Sequence, residues 1–286
     1  MKSTLSFEVF PPNTQISTEK LFNTLDELQL LNPEFISVTC SNNQQDIETT
    51  TLKLAEYIQH QLDIPTIAHL PAAYLSRLQV DQLVHQLNQL GIQRILALRG
   101  DILPETSPKN DFKYASNLVK YLKFQDPHFQ ISGACYPETH PEALDRVTDI
   151  RYLKQKVNAG CDQLISQLFL DNECFFQFQE ACYLADIQVP ILAGIMPIVN
   201  RNQALRLIHT TKTKLPRKFL AILEKYEHDP IALKEAGLAY AIDQIVDLAT
   251  QDVSGIHLYT MNNAETAKHI YQNTKNLLHS EKNVAS

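Results

Sequence analysis

Residues 80–101 read VDQLVHQLNQLGIQRILALRGD, and the fold turns on this stretch. Val80, Leu83, Val84, Leu87 and Leu90 recur at helical spacing, so Val80–Leu90 reads as an amphipathic helix. Gly91 follows where a helix should end, the C′ position at which glycine's tolerance of positive φ lets the chain turn. Arg94–Arg99 (RILALR) is then a short, mostly apolar run of strand character, closed by an abrupt polar turn at Gly100-Asp101.

Outward in both directions the same alternation repeats. Strand-like runs stand at Leu5–Phe10, Phe35–Thr39, Thr66–Leu70, Gln130–Tyr136, Gln163–Leu168, Pro190–Met196 and Gly255–Thr260, which with Arg94–Arg99 makes eight. They are mostly apolar rather than strictly alternating, as parallel strands covered on both faces should be. Amphipathic stretches lie between them, among them Thr18–Leu31, Asp46–Leu62, Asp145–Ala159 and Cys174–Ala185, with Gly160 again at a helix end. Strand starts are 27 to 36 residues apart, except for 65 between the seventh and eighth. The long gap has room for extra helices around Arg217–Tyr226 and Asp229–Thr250. The expected fold is α/β, a (β/α)8 TIM barrel with extra helices between strands 7 and 8. A doubly wound open sheet would show the same alternation. No Pro/Ser/Gly-rich linker divides the chain, so residues 1–286 read as one barrel domain.

Composition narrows the function. Average usage would give a chain of 286 residues roughly 20 glycines; this one has seven, no two closer than nine residues. Glycine-rich dinucleotide and phosphate loops need closer pairs, so any nucleotide must be held on another scaffold. A net charge of −7 and the lack of a long Lys/Arg run argue against nucleic acid. The start lacks the apolar stretch of a secretory signal, and no segment approaches the length of a membrane span. Five scattered cysteines without a C-x-x-C pair fit reduced, mostly buried thiols and no structural metal. A cytoplasmic protein is expected.

In a barrel of this kind, chemistry belongs at the C-terminal ends of the strands. Those ends are polar here: Glu8, Thr39, His69, Arg99-Gly100-Asp101, Tyr136 to His140 and Gln167. Glu8 stands in LSFEVFPP with only apolar neighbours before Asn13. A carboxyl desolvated in such a place has a raised pKa and can act as a general acid; the alternative is a solvent-facing or structurally paired glutamate. His69 alone is more simply a histidine satisfied by its surroundings. Arg99-Gly100-Asp101 places opposite charges around an accessible backbone, or forms a salt-bridged turn. Gln167 and Gln203 carry paired donor and acceptor groups that can read a heterocycle. Arg151, Lys154 and Lys156 form a basic face on the helix after strand five, beside His140 and Asp149.

The segments SFEVFPP, FISVTC, IAHL, ILALRGD, YASNLV, ACYPETHPEA, DIRYLKQKVNAG, LISQLFLD, GIMPIVNRNQA and LYTMNNAE, in order from residue 6 to residue 265, resemble methylenetetrahydrofolate reductase. The resemblance implies a catalytic (β/α)8 barrel with non-covalent FAD, reduced by NAD(P)H and reoxidised by 5,10-methylenetetrahydrofolate. It implies Glu8 as the general acid and Asp101 as a charge close to flavin and pterin, both catalytic and both touching the folate. It places Thr39, His69, Arg99, Gly100, Asp101, Tyr114, Ala115, Tyr136, His140, Ala143, Asp149 and Lys156 at FAD-contacting positions. Gln167 matches a residue that meets pterin and nicotinamide, and Gln203 one that meets folate. The length resembles the catalytic-only bacterial form, leaving no room for an S-adenosylmethionine-binding regulatory domain, and relatives of this length are commonly homo-oligomers.

Three departures stand out against that resemblance. Leu207 replaces an aromatic residue, Gln155 a basic one near the flavin phosphates, and Asn263 an arginine in LYTMNNAE. A fourth lies after strand three, where the sequence reads His69-Leu70-Pro71 in place of the usual His-Leu-Thr. These departures imply weakened or re-routed binding of substrate tail and cofactor, with the chemistry retained. They leave two other readings: a non-catalytic folate- or flavin-binding paralogue, and a reductase fed electrons by a partner protein.

Overall fold

A computed structural model describes residues 3–12, 15–40, 44–102, 107–210 and 215–278 of the chain. The strands are β1 (Thr4–Val9), β2 (Ile36–Val38), β3 (Thr66–Pro71), β4 (Arg94–Leu98), β5 (Gln130–Cys135), β6 (Gln163–Ser166), β7 (Ile191–Ile195) and β8 (Gly255–Tyr259). They form a closed barrel in sequence order, every pair parallel. Closure runs from Thr4 opposite Gly255 to Glu8 opposite Tyr259, which disposes of the open sheet. All eight expected strands form, each with its ends within two residues of the sequence reading.

The helices are α1 (Gln15–Gln29), α2 (Gln44–Asp46), α3 (Leu52–Gln61), α4 (Arg77–Gln89), α5 (Ala115–Gln125), α6 (Arg146–Asn158), α7 (Asn172–Leu184), α8 (Arg201–Thr210), α9 (Arg217–Tyr226), α10 (Pro230–Thr250) and α11 (Ala264–Leu278). Gly91 (φ +64°) and Gly160 (φ +120°) take the left-handed conformation just past α4 and α6, as their positions in sequence suggested. Ser76 and Gln79 form a reciprocal cap at the start of α4. The helix expected over Asp46–Leu62 is interrupted: Ile47–Thr51 is a π-helical turn between α2 and α3. The wide turn points the buried Thr51 hydroxyl at the carbonyl of Thr39, 2.9 Å away. It thereby pins the end of β2, in keeping with the tendency of such turns to occur at functional sites.

The main core lies between strands and helices, where Phe7, Val9, Ile36, Val38, Ile95, Ile131 and Ile256 pack against helix residues such as Leu25, Ile58, Leu83 and Ile270. A separate small cluster of Phe35, Ile67, Leu96, Ile165 and Leu192 fills the barrel interior. The extra helices α8 to α10 make a third cluster, in which Leu207, Phe219 and Tyr240 cover Leu168 and Leu170 after β6. Tyr240 Oη donates to the Leu170 carbonyl at 2.6 Å, tying α10 to that loop.

Candidate active site

Side-chain alternation along β1 turns Phe7 and Val9 outward to the main core and Glu8 toward the barrel axis. Its sequence neighbours are apolar; its spatial neighbours are not. Glu8 Oε2 lies 3.5 Å from His69 Nε2 on β3 and 3.7 Å from His257 Nε2 on β8. The Glu8 carbonyl accepts from Thr260, both Oγ1 at 2.7 Å and N at 3.3 Å. Beside it, Asn262 grips the backbone of Phe10 through both amide atoms, at 3.0 and 2.8 Å. The end of β1 is thus held from the β8 loop, and the Glu8 side chain keeps a 20% exposed surface toward the mouth.

His69 is buried, and its Nε2 has no hydrogen-bond partner. Burial pushes its pKa down to about 4, with the Glu8 charge opposing and His257 reinforcing. The ring is therefore neutral at pH 7. Contrary to the simpler sequence reading, this histidine is not satisfied by its surroundings. Among the described residues no group of three or more His, Cys, Asp and Glu side chains could hold a metal ion.

After β4, Arg99 forms a two-pronged ion pair with Glu142, at 2.6 and 2.7 Å, which holds the Glu142 carboxyl below the usual range. The guanidinium thus reaches the loop after β5, while its Nε also donates to the Gly100 carbonyl of its own turn at 3.3 Å. Gly100 has φ +87°, and Asp101 is exposed at the rim. Burial, and then the Asp101 charge, push the Tyr136 phenol up to about 12. Tyr136 packs edge-on to His140, ring centroids 4.5 Å apart. The backbone of His140 donates to Asp149 Oδ2 at 2.9 Å, and its carbonyl accepts from Ala143. Thr39 donates its N–H to Val9.

Tyr114 is the N-cap of α5 and Ala115 its first residue. Asn117 ties the start together, its Oδ1 accepting from Tyr114 N at 2.9 Å and its N–H donating to the Tyr114 carbonyl at 3.0 Å, and the tyrosine side chain makes no cap bond. Lys156, expected on a basic face, instead turns inward and donates to the Ala134 carbonyl at 2.5 Å, its pKa lowered by burial. Lys154 pairs outward with Asp186 at 3.1 Å.

Gln167 is exposed after β6, its Oε1 accepting from Leu168 N at 2.8 Å. Gln203 Oε1 accepts from Val199 N at 2.9 Å, while Asn200 Oδ1 accepts from Gln203 N. Gln203 lines a cleft of about 170 Å³ between the β7 and β8 loops, together with Tyr259, Thr260 and Asn263. Asn263 caps α11, its Oδ1 accepting from Thr266 N at 3.0 Å. Leu207 is withdrawn into the cluster with Phe219 and Tyr240, 2% exposed. Gln155 is exposed on α6.

Residues 1–275 match the family model described as methylenetetrahydrofolate reductase. The chain belongs to the methylenetetrahydrofolate reductase family. The family is one of oxidoreductases, and the chain is 35% identical to the 5,10-methylenetetrahydrofolate reductase of Buchnera aphidicola (strain Bp) over 92% of its own length and 88% of the relative's. Identity to the Escherichia coli K12 enzyme of that name is also 35%, over 91% of the chain and 87% of the relative. The Arabidopsis thaliana methylenetetrahydrofolate reductase (NADH) 1 is 33% identical over 95% of the chain, which spans 48% of that protein. A solved structure of an uncharacterized Clostridium thermocellum protein, described as binding two copies of 5-methyl-5,6,7,8-tetrahydrofolic acid, has a TM-score of 0.63 at 13% identity, covering 96% of each chain. At that identity the likeness is one of fold.

Four residues of this methylenetetrahydrofolate reductase-type mouth escaped the sequence reading: Glu142, His257, Tyr259 and Asn262. His257 and Tyr259 were within reach, since period-2 alternation along GIHLYT puts both on one face. The Arg99–Glu142 pair spans 43 residues and had no local signal.

Proposed function

We propose that the chain catalyses the FAD-dependent reduction of 5,10-methylenetetrahydrofolate to 5-methyltetrahydrofolate with NAD(P)H. The observation that carries this reading is Glu8, a carboxyl at the barrel mouth set between two imidazoles in the family's SFEVFPP segment. The side chains around the mouth suit a flavin dinucleotide. We assign its phosphates to Arg99 and the start of α5, and the unpartnered His69 Nε2, a buried polar atom that a bound ligand can approach, supports a ligand at this mouth. FAD bound there would supply the two-electron hydride chemistry that links the nicotinamide to the folate in a ping-pong reaction.

The chain's own residues do the rest. Glu8 gives its proton to N10 of the folate, opening the imidazolidine ring to the 5-iminium cation that accepts hydride. Asp101, exposed beside Tyr136, sets a negative charge against that cation. Gln167 keeps its amide nitrogen for the pterin or nicotinamide, and Gln203, rigid in its turn, borders the cleft for the rest of the folate. Thr39, Gly100, Tyr114, Ala115, Tyr136, His140, Ala143, Asp149 and Lys156 shape the flavin side, several of them through backbone geometry. Five cysteines outside any disulfide support a reducing compartment, the cytoplasm, and a homo-oligomer is the expected assembly, to be checked by light scattering.

An anaerobic spectrum tests the reading. The purified protein should show flavin bands that bleach on adding NADH or NADPH and return on adding methylenetetrahydrofolate. Protein without flavin, or bleached flavin that methylenetetrahydrofolate leaves reduced, would overturn it.

A further inference from the structure

The mouth contains a second buried imidazole to which the reaction above gives no task. His257 on β8 is fully buried and lies opposite Ser6 of β1 in the strand register. Its Nδ1 is 2.8 Å from Ser6 Oγ, and its Nε2 is 3.2 Å from Ser37 Oγ and 3.7 Å from Glu8 Oε2. The ring is stacked on Phe35 (centroids 5.5 Å apart, planes 24° apart) and meets Tyr259 edge-on. It can neither flip nor tilt without disturbing the interior cluster.

The hydroxyls decide the tautomer. Ser6 has a single proton, and its Oγ also lies 3.3 Å from the Ile256 carbonyl, which can only accept. Both bonds form if Ser6 donates to Ile256 and accepts from an Nδ1–H of His257. That tautomer carries its lone pair on Nε2, 3.2 Å from the Ser37 hydroxyl that can donate to it. That lone pair also faces Glu8 Oε2. A separation of 3.7 Å is too long for a hydrogen bond. It can close to one when the carboxyl carries a proton and takes the lone pair in place of the Ser37 hydroxyl, whereas a carboxylate and a lone pair repel.

We propose that His257, fixed as its Nδ1–H tautomer by Ser6 and Ser37, is a positioning residue that berths the protonated Glu8 carboxyl between turnovers. The inference rests on the general-acid reading of Glu8. His69 from β3 bounds the same carboxyl oxygen on its other side, at 3.5 Å. The berth therefore admits one orientation of the acid, with the second oxygen left toward the mouth. No serine or glutamine placed at 257 could present the same acceptor at the same depth.

Two measurements decide it. In long-range ¹H–¹⁵N spectra of the protein without flavin, with His257 assigned by its loss in His257→Asn, the ring should be neutral with the proton on Nδ1. A proton on Nε2 would overturn the proposal whatever the enzyme does. In flavin-loaded protein, His257→Asn and His257→Gln should slow reoxidation by methylenetetrahydrofolate about 10-fold or more, a part of what a general acid contributes, with reduction by NADH changed less than about twofold. Equal loss in both half-reactions would assign His257 a structural role only, and no loss in either would remove it from the reaction. Should wild-type protein fail to reduce the folate at all, the functional reading falls, and the tautomer alone still decides the state of His257.

Discussion

Among the side chains of the site, His69 makes stability depend on pH. Its folded pKa of about 4 lies below the usual 6.5 because burial penalises the charged ring, the Glu8 charge offsetting part of that. The unfolded chain therefore binds the proton first as pH falls. Stability is undiminished above pH 6.5 and is lost between 6.5 and about 4, by about 3 kcal/mol for a shift of this size. Unfolding by denaturant at pH 7.5 and pH 5 should show a smaller pH difference for His69→Asn than for wild type; an equal difference would mean that the ring is charged or exposed in the fold. Asn263 is the residue at which a family departure meets a visible duty. Its cap on α11 accounts for an asparagine there, and Asn263→Ala should cost about 1 kcal/mol in thermal or chemical unfolding. Asn263→Arg should give up that cap but lower KM for polyglutamylated more than for monoglutamylated folate. A uniform change in KM would show that the position does not face the folate tail.

Among elements, α10 approaches the loop after β7 more closely than a side chain allows. A Cβ built on Gly237 would lie 1.9 Å from the Ile198 carbonyl oxygen, so only glycine lets the helix seat there. Gly237→Ala should destabilise by about 1–3 kcal/mol and loosen the Val199–Gln203 turn that borders the cleft. A lowered melting temperature with raised KM for folate is the expected pair; unchanged melting would contradict the close approach. The strands were legible because each is a short apolar run bounded by turn residues, and the ends of α4 and α6 because glycine marked them. The π turn at Ile47–Thr51 was not, since its IETTT continues a helical pattern and only the tertiary bond from Thr51 to Thr39 distinguishes it. Leu207, one turn of α8 beyond Gln203, lies in the cluster with Phe219 and Tyr240, a burial that its sequence surroundings did not announce.

At the scale of the whole molecule, barrel closure between β1 and β8 creates the site. It brings Glu8 against His257 and Thr260, about 250 residues away in sequence, and no local pattern could have announced that neighbourhood. The sequence did mark Glu8, Asp101 and the polar strand ends, because charged residues following apolar strands are conspicuous. It did not show which of them touch. Hydride donor and acceptor are expected to use one mouth in turn, with Glu8 needed by the second alone. Stopped-flow absorbance of Glu8→Gln under anaerobic conditions tests this most directly. The account predicts flavin reduction by NADH within about twofold of wild type and reoxidation by methylenetetrahydrofolate slowed by about 10²-fold or more. Equal slowing of both half-reactions, or reoxidation at the wild-type rate, would contradict it.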